Sequence, residues 1–600
     1  MSIKLQCLLT SSLLFTTLLF KYCIVVVAAD SQVKRKQLSF SHITDIHLDL
    51  SYAAHIGKTD CQSPPCCRKT TEFLADPILS TMKNIEGMNL DKLTDEAKGI
   101  GAPEEEIGED MYDEDDEEEE LDEDDEDEEE EEEEEEDDDY DLEEEDEYMN
   151  DRVTSIPVSS KKRVYAGKFG EYNCDTPIPL LQSALEAQNL FNPDFMVWSG
   201  DTGPHRKPGT GPIERDVLIE TINTATEIIY NVTRPDTMVV PCLGNYDFSP
   251  TGSYASPEHA QWLLDAVANA WSRWLPDESV SMLRTRGYYQ MPIVDGFRAI
   301  VLNTQECDIL NFYTLVRSGT DSLGDNQLDW LRSSLKEAES VGDNALIVGH
   351  IPPGIWNGCY GNFTERYQEI LAEFPRTVSG QVFGHRHSGS FRLLKDSEGE
   401  PSSVALITPS LTPYKDQNPS FRMYHLSEPE SDPRQEWPES KPDLAITSVG
   451  QYAIDLEEYN ESTDFLTWHL SFWLPGMLPY NRTSLSPAQY QRAADLIRAD
   501  GETASRYQYS EANKKKYMAN DKEAPSWACS LTNVKTHDLI SCAMLAEEVL
   551  IKHYVNSDHN YVLTNLYPFE QIYYHFCTIF YNLTGDPYCD EKFNRYSFIQ

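Results

Sequence analysis

Short apolar runs alternate with amphipathic stretches over most of this chain. Residues 38–43 (LSFSHI) are crowded with apolar side chains and end at polar Thr44 and Asp45, which predicts a short buried strand. Further strands are predicted at 194–198 (DFMVW), 237–241 (TMVVP), 298–302 (RAIVL), 344–348 (NALIV), 377–383 and 402–407. Between them, apolar residues recur at helical spacing over 179–189, 216–230, 257–274, 325–338 and 363–374; Leu263, Leu264, Val267 and Trp271 mark the third of these stripes. Strand–helix alternation of this kind predicts an α/β core. Beyond about Leu456 it fades, aromatic residues become frequent, and 486–500 and 541–554 read as helices. The expected organisation is an N-terminal leader over 1–29, one catalytic domain over 38–455, and a mainly helical, disulfide-linked C-terminal region over 456–600.

The pattern is lost between about 92 and 160. Within it, 37 of the 44 residues from 104 to 147 are Asp or Glu, and they supply most of the net charge of −56. Such a run repels itself and has nothing apolar to bury, so it reads as a disordered, solvated loop inside the catalytic domain. No basic stripe is present, which argues against a nucleic-acid-binding surface.

Lys4, a mostly apolar run over 5–20 and the small residues Ala28 and Ala29 together read as an export signal cut before Asp30. Lys21 interrupts the run and weighs against a membrane anchor. Eleven of the 13 cysteines follow that point, clustered at Cys61, Cys66 and Cys67 and at Cys529, Cys542, Cys577 and Cys589. In an exported chain their first reading is disulfides, with at least one thiol left over from an odd number. Five Asn-x-Ser/Thr sequons, at Asn231, Asn362, Asn460, Asn481 and Asn582, are expected N-glycan sites in the same compartment. The expected destination is secretion or the lumen of a lysosome or vacuole.

Polar residues of one kind recur just after the predicted strands. Asp45 and His47 follow the first, Gly200-Asp201 the second and Gly244-Asn245-Tyr246-Asp247 the third; Gly349-His350 and Gly384-His385-Arg386-His387 follow two later ones. Carboxyl ends of strands are where α/β sheets bind ligands. If these ends converge, they gather two Asp, one Asn and four His in one pocket. Imidazole and carboxylate suit zinc, iron or manganese, and a carboxylate can bridge two cations. Any one of these motifs alone is more often a turn or a structural histidine. Five in this order, each at a strand end, point to two divalent metal ions.

The order DxH, GD, GNxD, GH, GHxH resembles the calcineurin-like metallophosphoesterases. The segments HITDIHLD, FGEYNCDTP, WSGDTGPH, GHIPPG, VFGHRHSGSFR and ITPSLTPYKDQNPSFRMY sharpen this to the acid sphingomyelinase-like phosphodiesterases and the fungal endopolyphosphatases. The resemblance spans about 39–426 apart from the acidic insert. It implies two packed mixed β-sheets flanked by helices, a four-layer sandwich. It implies that Asp45, His47 and His387 hold one metal, that Asn245, His350 and His385 hold a second, that Asp201 bridges them, and that both are zinc. It implies that His205 contacts the phosphate or protonates the leaving group. The reaction implied is hydrolysis of a phosphodiester by metal-activated water, and loose membrane association is compatible with it.

Tyr246 departs from the pattern, since the resembling proteins usually carry His there. A phenol has a reference pKa of about 10, so it donates a hydrogen bond but suits general-acid work near neutral pH poorly. Three readings follow: His205 supplies the proton alone; the substrate is polyphosphate, whose leaving group needs little help; or the protein binds without turnover. The GHRH motif favours the sphingomyelinase side. Asp45 lies directly behind the leader, leaving no room for a lipid-extracting domain, so a soluble or short-chain phosphodiester is the expected substrate.

Overall fold

A strand covered on both faces reads as an unbroken apolar run, and Phe195–Trp198 and Asn344–Val348 are buried at every position. These runs are central strands of two six-stranded sheets in the computed structural model of the chain, which describes residues 37–54, 65–68, 166–206, 211–311, 313, 324–354, 358–429, 441–456, 459–460, 467–475, 485–513, 524–535, 538–539 and 542. The chain divides into two units, Met1–Lys69 with Val164–Gln600, and Thr70–Arg163. The second unit, with the acidic run, lies outside the described residues, as do the leader and, apart from Cys542, the expected helix at 541–554.

The first sheet has the order β12-β11-β10-β1-β2-β3 and the second β4-β5-β6-β7-β9-β8. The strands are β1 Gln37–Ile43, β2 Phe195–Trp198, β3 Met238–Pro241, β4 Tyr289–Val294, β5 Phe297–Val301, β6 Asn344–Val348, β7 Val378–Phe383, β8 Ser390–Lys395, β9 Pro401–Ile407, β10 Ser420–Ser427, β11 Ala445–Ala453 and β12 His469–Leu474. Parallel pairing joins β1, β2 and β3, and joins β5, β6, β7 and β9; the antiparallel strands β12, β4 and β8 form three of the four edges and β3 the fourth. The helices are α1 Ile178–Asn189, α2 Arg215–Val232, α3 Gln261–Trp271, α4 Asp277–Arg286, α5 Asp325–Val341, α6 Gly361–Glu373, α7 Pro487–Ala499, α8 Gly501–Ser510 and α9 Ala524–Thr532.

Strand periodicity shows how the layers stack. On β6, Leu346 and Val348 join the large core that also holds Phe40, Tyr424 and Phe195, so they face the first sheet. Ala345 and Ile347 join a second core with Leu328, Leu331 and Leu335 of α5 and Phe363, Tyr367 and Ile370 of α6. Each such buried Leu or Ile contributes about 1.5–3 kcal/mol relative to exposure. Leu181 and Leu185 of α1 and Ile222 and Ile229 of α2 join the large core as well, and α1 packs on β10 of the first sheet. The result is helix, sheet, sheet, helix, the four-layer sandwich expected. At the C-terminal side, α7 packs on β9, α9 packs on β8, and β12 extends the first sheet.

Three disulfides lie among the described residues, Cys67–Cys174, Cys307–Cys359 and Cys529–Cys542, and Cys242 is a buried free thiol. Of the sequons, Asn231 and Asn362 are exposed. The Asn460 amide donates to Gly170 O at 2.9 Å, so its nitrogen already has a partner. Asn481 and Asn582 lie outside the described residues. No described helix is long and apolar enough to cross a membrane.

Candidate metal centre

The strands β1, β2 and β3 of one sheet and β6 and β7 of the other all end at the same rim, and the chain turns sharply after each. Five of the residues in those turns hold positive φ without being glycine: Asp45 (48°), His47 (43°), Asp201 (53°), His385 (72°) and His387 (58°). A left-handed backbone costs a non-glycine residue roughly 1–3 kcal/mol and collects at functional sites. Here it is held in place by backbone hydrogen bonds between loops, from Asp45 N–H to Gly200 O at 3.1 Å and from His47 N–H to Asp201 O at 2.9 Å. Gly384 is needed for close approach: a Cβ there would overlap Thr44 Oγ1 and come within 2.6 Å of Asp45 Oδ2.

These turns bring all seven candidate ligands together. Asp45, His47, Asp201 and His387 form one group and Asp201, His350 and His385 another, each with ligand atoms within 4.8 Å of one another. Asn245 joins the second group, its Oδ1 lying 3.1 Å from His350 Nε2 and 2.8 Å from His385 Nδ1. Asp201 belongs to both: its Oδ2 is 3.5 Å from His47 Nε2 and 3.2 Å from His350 Nε2. The other oxygen, Oδ1, accepts from Tyr246 N–H at 2.7 Å, which leaves Oδ2 for the cluster.

Two of the tautomers are fixed by carbonyl groups, which can only accept. His47 Nδ1 donates to Gly203 O at 2.8 Å and His350 Nδ1 donates to Ser199 O at 2.7 Å, so Nε2 of each ring points its lone pair at the cluster. His47 Nε2 also faces His387 Nε2 at 3.1 Å, and His387 Nε2 lies 3.6 Å from Asp45 Oδ1. Four ligands at about 2.0–2.1 Å around a zinc-sized ion are roughly 3.3–3.4 Å apart, so the donor spacing fits such an ion in both groups. Burial pushes His47 and His385 down to about 3 and His387 well below its ordinary value, so these imidazoles are neutral, the form that ligates. Burial likewise raises Asp45 to about 7. For His350 burial opposes the charge, but Asp201 beside it prevails and lifts the ring to about 9, a proton standing where a cation would.

The candidate acid His205 lies beside this cluster, its ring stacked 3.8 Å from that of His47 and 4.2 Å from that of Tyr414. The ring of Tyr246 packs 4.6 Å from His205 and 4.9 Å edge-on to His47. Burial and then Asp201 push the Tyr246 phenol further above its usual value, so it stays a neutral donor.

Sequence reasoning left three supporting residues without a role. Asp175, in FGEYNCDTP, receives His205 Nδ1–H at 2.7 Å. Arg68 donates to that carboxylate at 2.9 Å. Asp247, the last residue of Gly244-Asn245-Tyr246-Asp247, accepts from the backbone N–H groups of Gly244 (2.7 Å), Thr202 (2.8 Å) and Gly203 (3.2 Å), so one carboxylate sets two ligand loops. The acidic residue inside each motif was a signal for Asp175 and Asp247; nothing around Arg68 was.

Residues 174–389 match the calcineurin-like phosphoesterase family. The chain is 28% identical over 382 residues to sphingomyelin phosphodiesterase A of Dictyostelium discoideum, covering 63% of this chain and 62% of that protein. To the human acid sphingomyelinase-like phosphodiesterase 3b it is 30% identical over 364 residues, 57% of this chain and 74% of that one. To the human cyclic GMP-AMP phosphodiesterase SMPDL3A it is 28% identical over 427 residues, 68% and 88% respectively. It spans 50% of the Bos taurus and 43% of the human sphingomyelin phosphodiesterase. Among solved structures, a dimetal phosphatase from Danio rerio aligns over 46% of this chain and 85% of its own, at 13% identity and a TM-score of 0.31. The chain therefore belongs to the calcineurin-like phosphoesterases, in the acid sphingomyelinase-like phosphodiesterase group.

Proposed function

We propose that this protein hydrolyses phosphodiester bonds, with two divalent metal ions, zinc the expected pair, held between its sheets. The observation that carries this is Asp201, whose single oxygen Oδ2 lies within 3.5 Å of a histidine of each ligand group, the arrangement of a bridging carboxylate. In this reading Asp45, His47 and His387 would hold one ion, Asn245, His350 and His385 the other, and Asp201 would serve both. When bound, such a pair supplies a hydroxide near neutral pH and neutralises charge on the phosphate oxygens.

The chain's own residues do the rest. The carbonyls of Gly203 and Ser199 keep His47 and His350 in the ligating tautomer. His205, hydrogen-bonded to Asp175 through Nδ1, presents Nε2, and in its imidazolium form the Nε2 proton passes to the departing oxygen, leaving the Nδ1–H tautomer. Tyr246 stays protonated and donates a hydrogen bond at the phosphate. The intact His205–Asp175 pair favours turnover over a purely binding role. A phosphodiester is the substrate class, as the names of the related sphingomyelin and cyclic GMP-AMP phosphodiesterases suggest. The compartment is secretory or lysosomal, in keeping with the three disulfides, and Asn231 and Asn362 are exposed for glycosylation.

The test uses the full chain from a secretory host, with bis(p-nitrophenyl) phosphate at about pH 5 and pH 7, with added zinc and with a chelator. Chelator-sensitive turnover is expected, with a loss of more than about 100-fold in Asp201→Asn, which weakens the bridge. Shortening of polyphosphate chains, in the absence of diester cleavage, would transfer the reading to an endopolyphosphatase. Two metals bound per chain with no turnover of either substrate would leave a binding protein, and Tyr246→His should then create activity.

A further inference from the structure

We propose that the Cys67–Cys174 disulfide, Arg68 and Asp175 form one positioning unit that sets the ring of His205 against the metal cluster, an inference that rests on the function proposed above. The disulfide joins two cysteines 107 residues apart, and they flank the segment 70–163 that carries the acidic run. Arg68 and Asp175 are the residues immediately after those cysteines, so one covalent link puts them side by side. Arg68 Nη2 lies 2.9 Å from Asp175 Oδ2. The same guanidinium donates to Asp49 Oδ2 at 2.6 Å and to His205 O at 2.7 Å, tying together the chain segments on both sides of the disulfide and the loop after β2.

Asp175 then grips His205 twice. Oδ2 accepts from the His205 backbone N–H at 2.8 Å and Oδ1 from Nδ1–H at 2.7 Å. An ionised carboxylate only accepts, so the proton of that bond sits on Nδ1 and the ring turns Nε2 away from Asp175. Burial opposes the charge on Asp175, but His205, His47 and Arg68 hold its carboxyl below the usual range. His47 and Tyr414 cover the two faces of the ring. Rotation about either side-chain torsion of His205 therefore breaks a hydrogen bond or a stacking contact. Without the disulfide, Arg68 and Asp175 would be linked only through the chain between them, and bringing them together would carry the entropic cost that the cross-link removes.

The experiment compares the full-length wild type with Asp175→Asn, His205→Ala, the double variant of those two, and the paired change Cys67→Ser with Cys174→Ser. Each is given aryl phosphodiesters whose leaving groups run from 4-nitrophenol to phenol, and bound zinc is measured alongside. Asp175→Asn is expected to lose about 100-fold in kcat on the phenyl ester and less than about 10-fold on the nitrophenyl ester, because a good leaving group needs little acid. KM and bound zinc should stay unchanged, and Asp175→Asn should add little in the His205→Ala background, as expected for residues acting as a unit. The cysteine pair should show the same leaving-group dependence with a smaller loss. Equal losses across all leaving groups, loss of zinc, or fully additive effects would overturn the proposal. If the wild type cleaves none of the esters, the function proposed above falls. The ¹⁵N shifts of the His205 ring then decide the positioning claim alone: an Nδ1–H tautomer that is lost in Asp175→Asn supports it, and a tautomer unchanged by the substitution overturns it.

Discussion

At the residue scale, the seven candidate ligands could be picked from the chain because metal chemistry restricts residue type and because each stands just past an apolar run. Their geometry could not be read the same way. The left-handed backbone of Asp45, His47, Asp201, His385 and His387 is held by neighbouring loops, against local preference. Gly384→Ala tests how tight that packing is. The added methyl would overlap Thr44 Oγ1, so Asp45 or the His385 turn must shift; bound zinc should fall by at least about 10-fold in affinity, read by competition with a chelator, while the sheets stay folded. Glu306 makes a different residue-scale prediction. Burial raises its carboxyl to about 8 from an ordinary 4.5, against a hydrogen bond from Gln327 that favours the charge. The folded state thus holds this proton more tightly than the unfolded chain does. Its contribution to stability is fully present below about pH 4.5 and lost as pH rises through about 8. Glu306→Gln, which has no proton to lose, should match the wild type in thermal unfolding near pH 4.5 and exceed it by roughly 1–3 kcal/mol near pH 8.5.

At the element scale, strands buried on both faces were legible and strands carrying a buried charge were not. The expected 344–348 coincides with β6, and most other predicted strands and helices lie within a few residues of the observed ones. By contrast, β8 and β10 were missed, and each contains a fully buried arginine, Arg392 and Arg422, that breaks the apolar pattern. Helix α4 was missed as well. Its charges suit the helix dipole, with Asp277 and Glu278 in the first turn and Arg284 and Arg286 in the last, but only Ser279 and Leu283 are buried, too thin a stripe to register. Arg422 is tolerated inside because β10 brings it to Gln451 at 3.0 Å and to Glu511, just beyond α8, at 3.3 Å. That ion pair ties the C-terminal region to the strand beside β1. Glu511→Ala leaves the guanidinium buried without its counter-charge, and should cost about 3–5 kcal/mol in denaturant unfolding, far more than a surface pair would.

At the scale of the whole molecule, the chain builds β1 to β3 in one sheet, passes to the second for β4 to β9, and returns to the first for β10 to β12. Asp45, His47, Asp201 and Asn245 therefore reach the site from one sheet, and His350, His385 and His387 from the other. By itself the sequence determined the α/β class, the strand ends that carry chemistry, the residue types of the cluster and the presence of disulfides, because periodicity, ligand chemistry and cysteine content are local or compositional properties. Only the tertiary structure decided which strands share a sheet, that Asp201 stands between two ligand groups, and that Arg68 and Asp175 meet across 107 residues to hold His205. Those facts depend on contacts between segments distant along the chain. Packing, turn geometry and hydrogen bonding fix such contacts jointly, and no single stretch of residues encodes them.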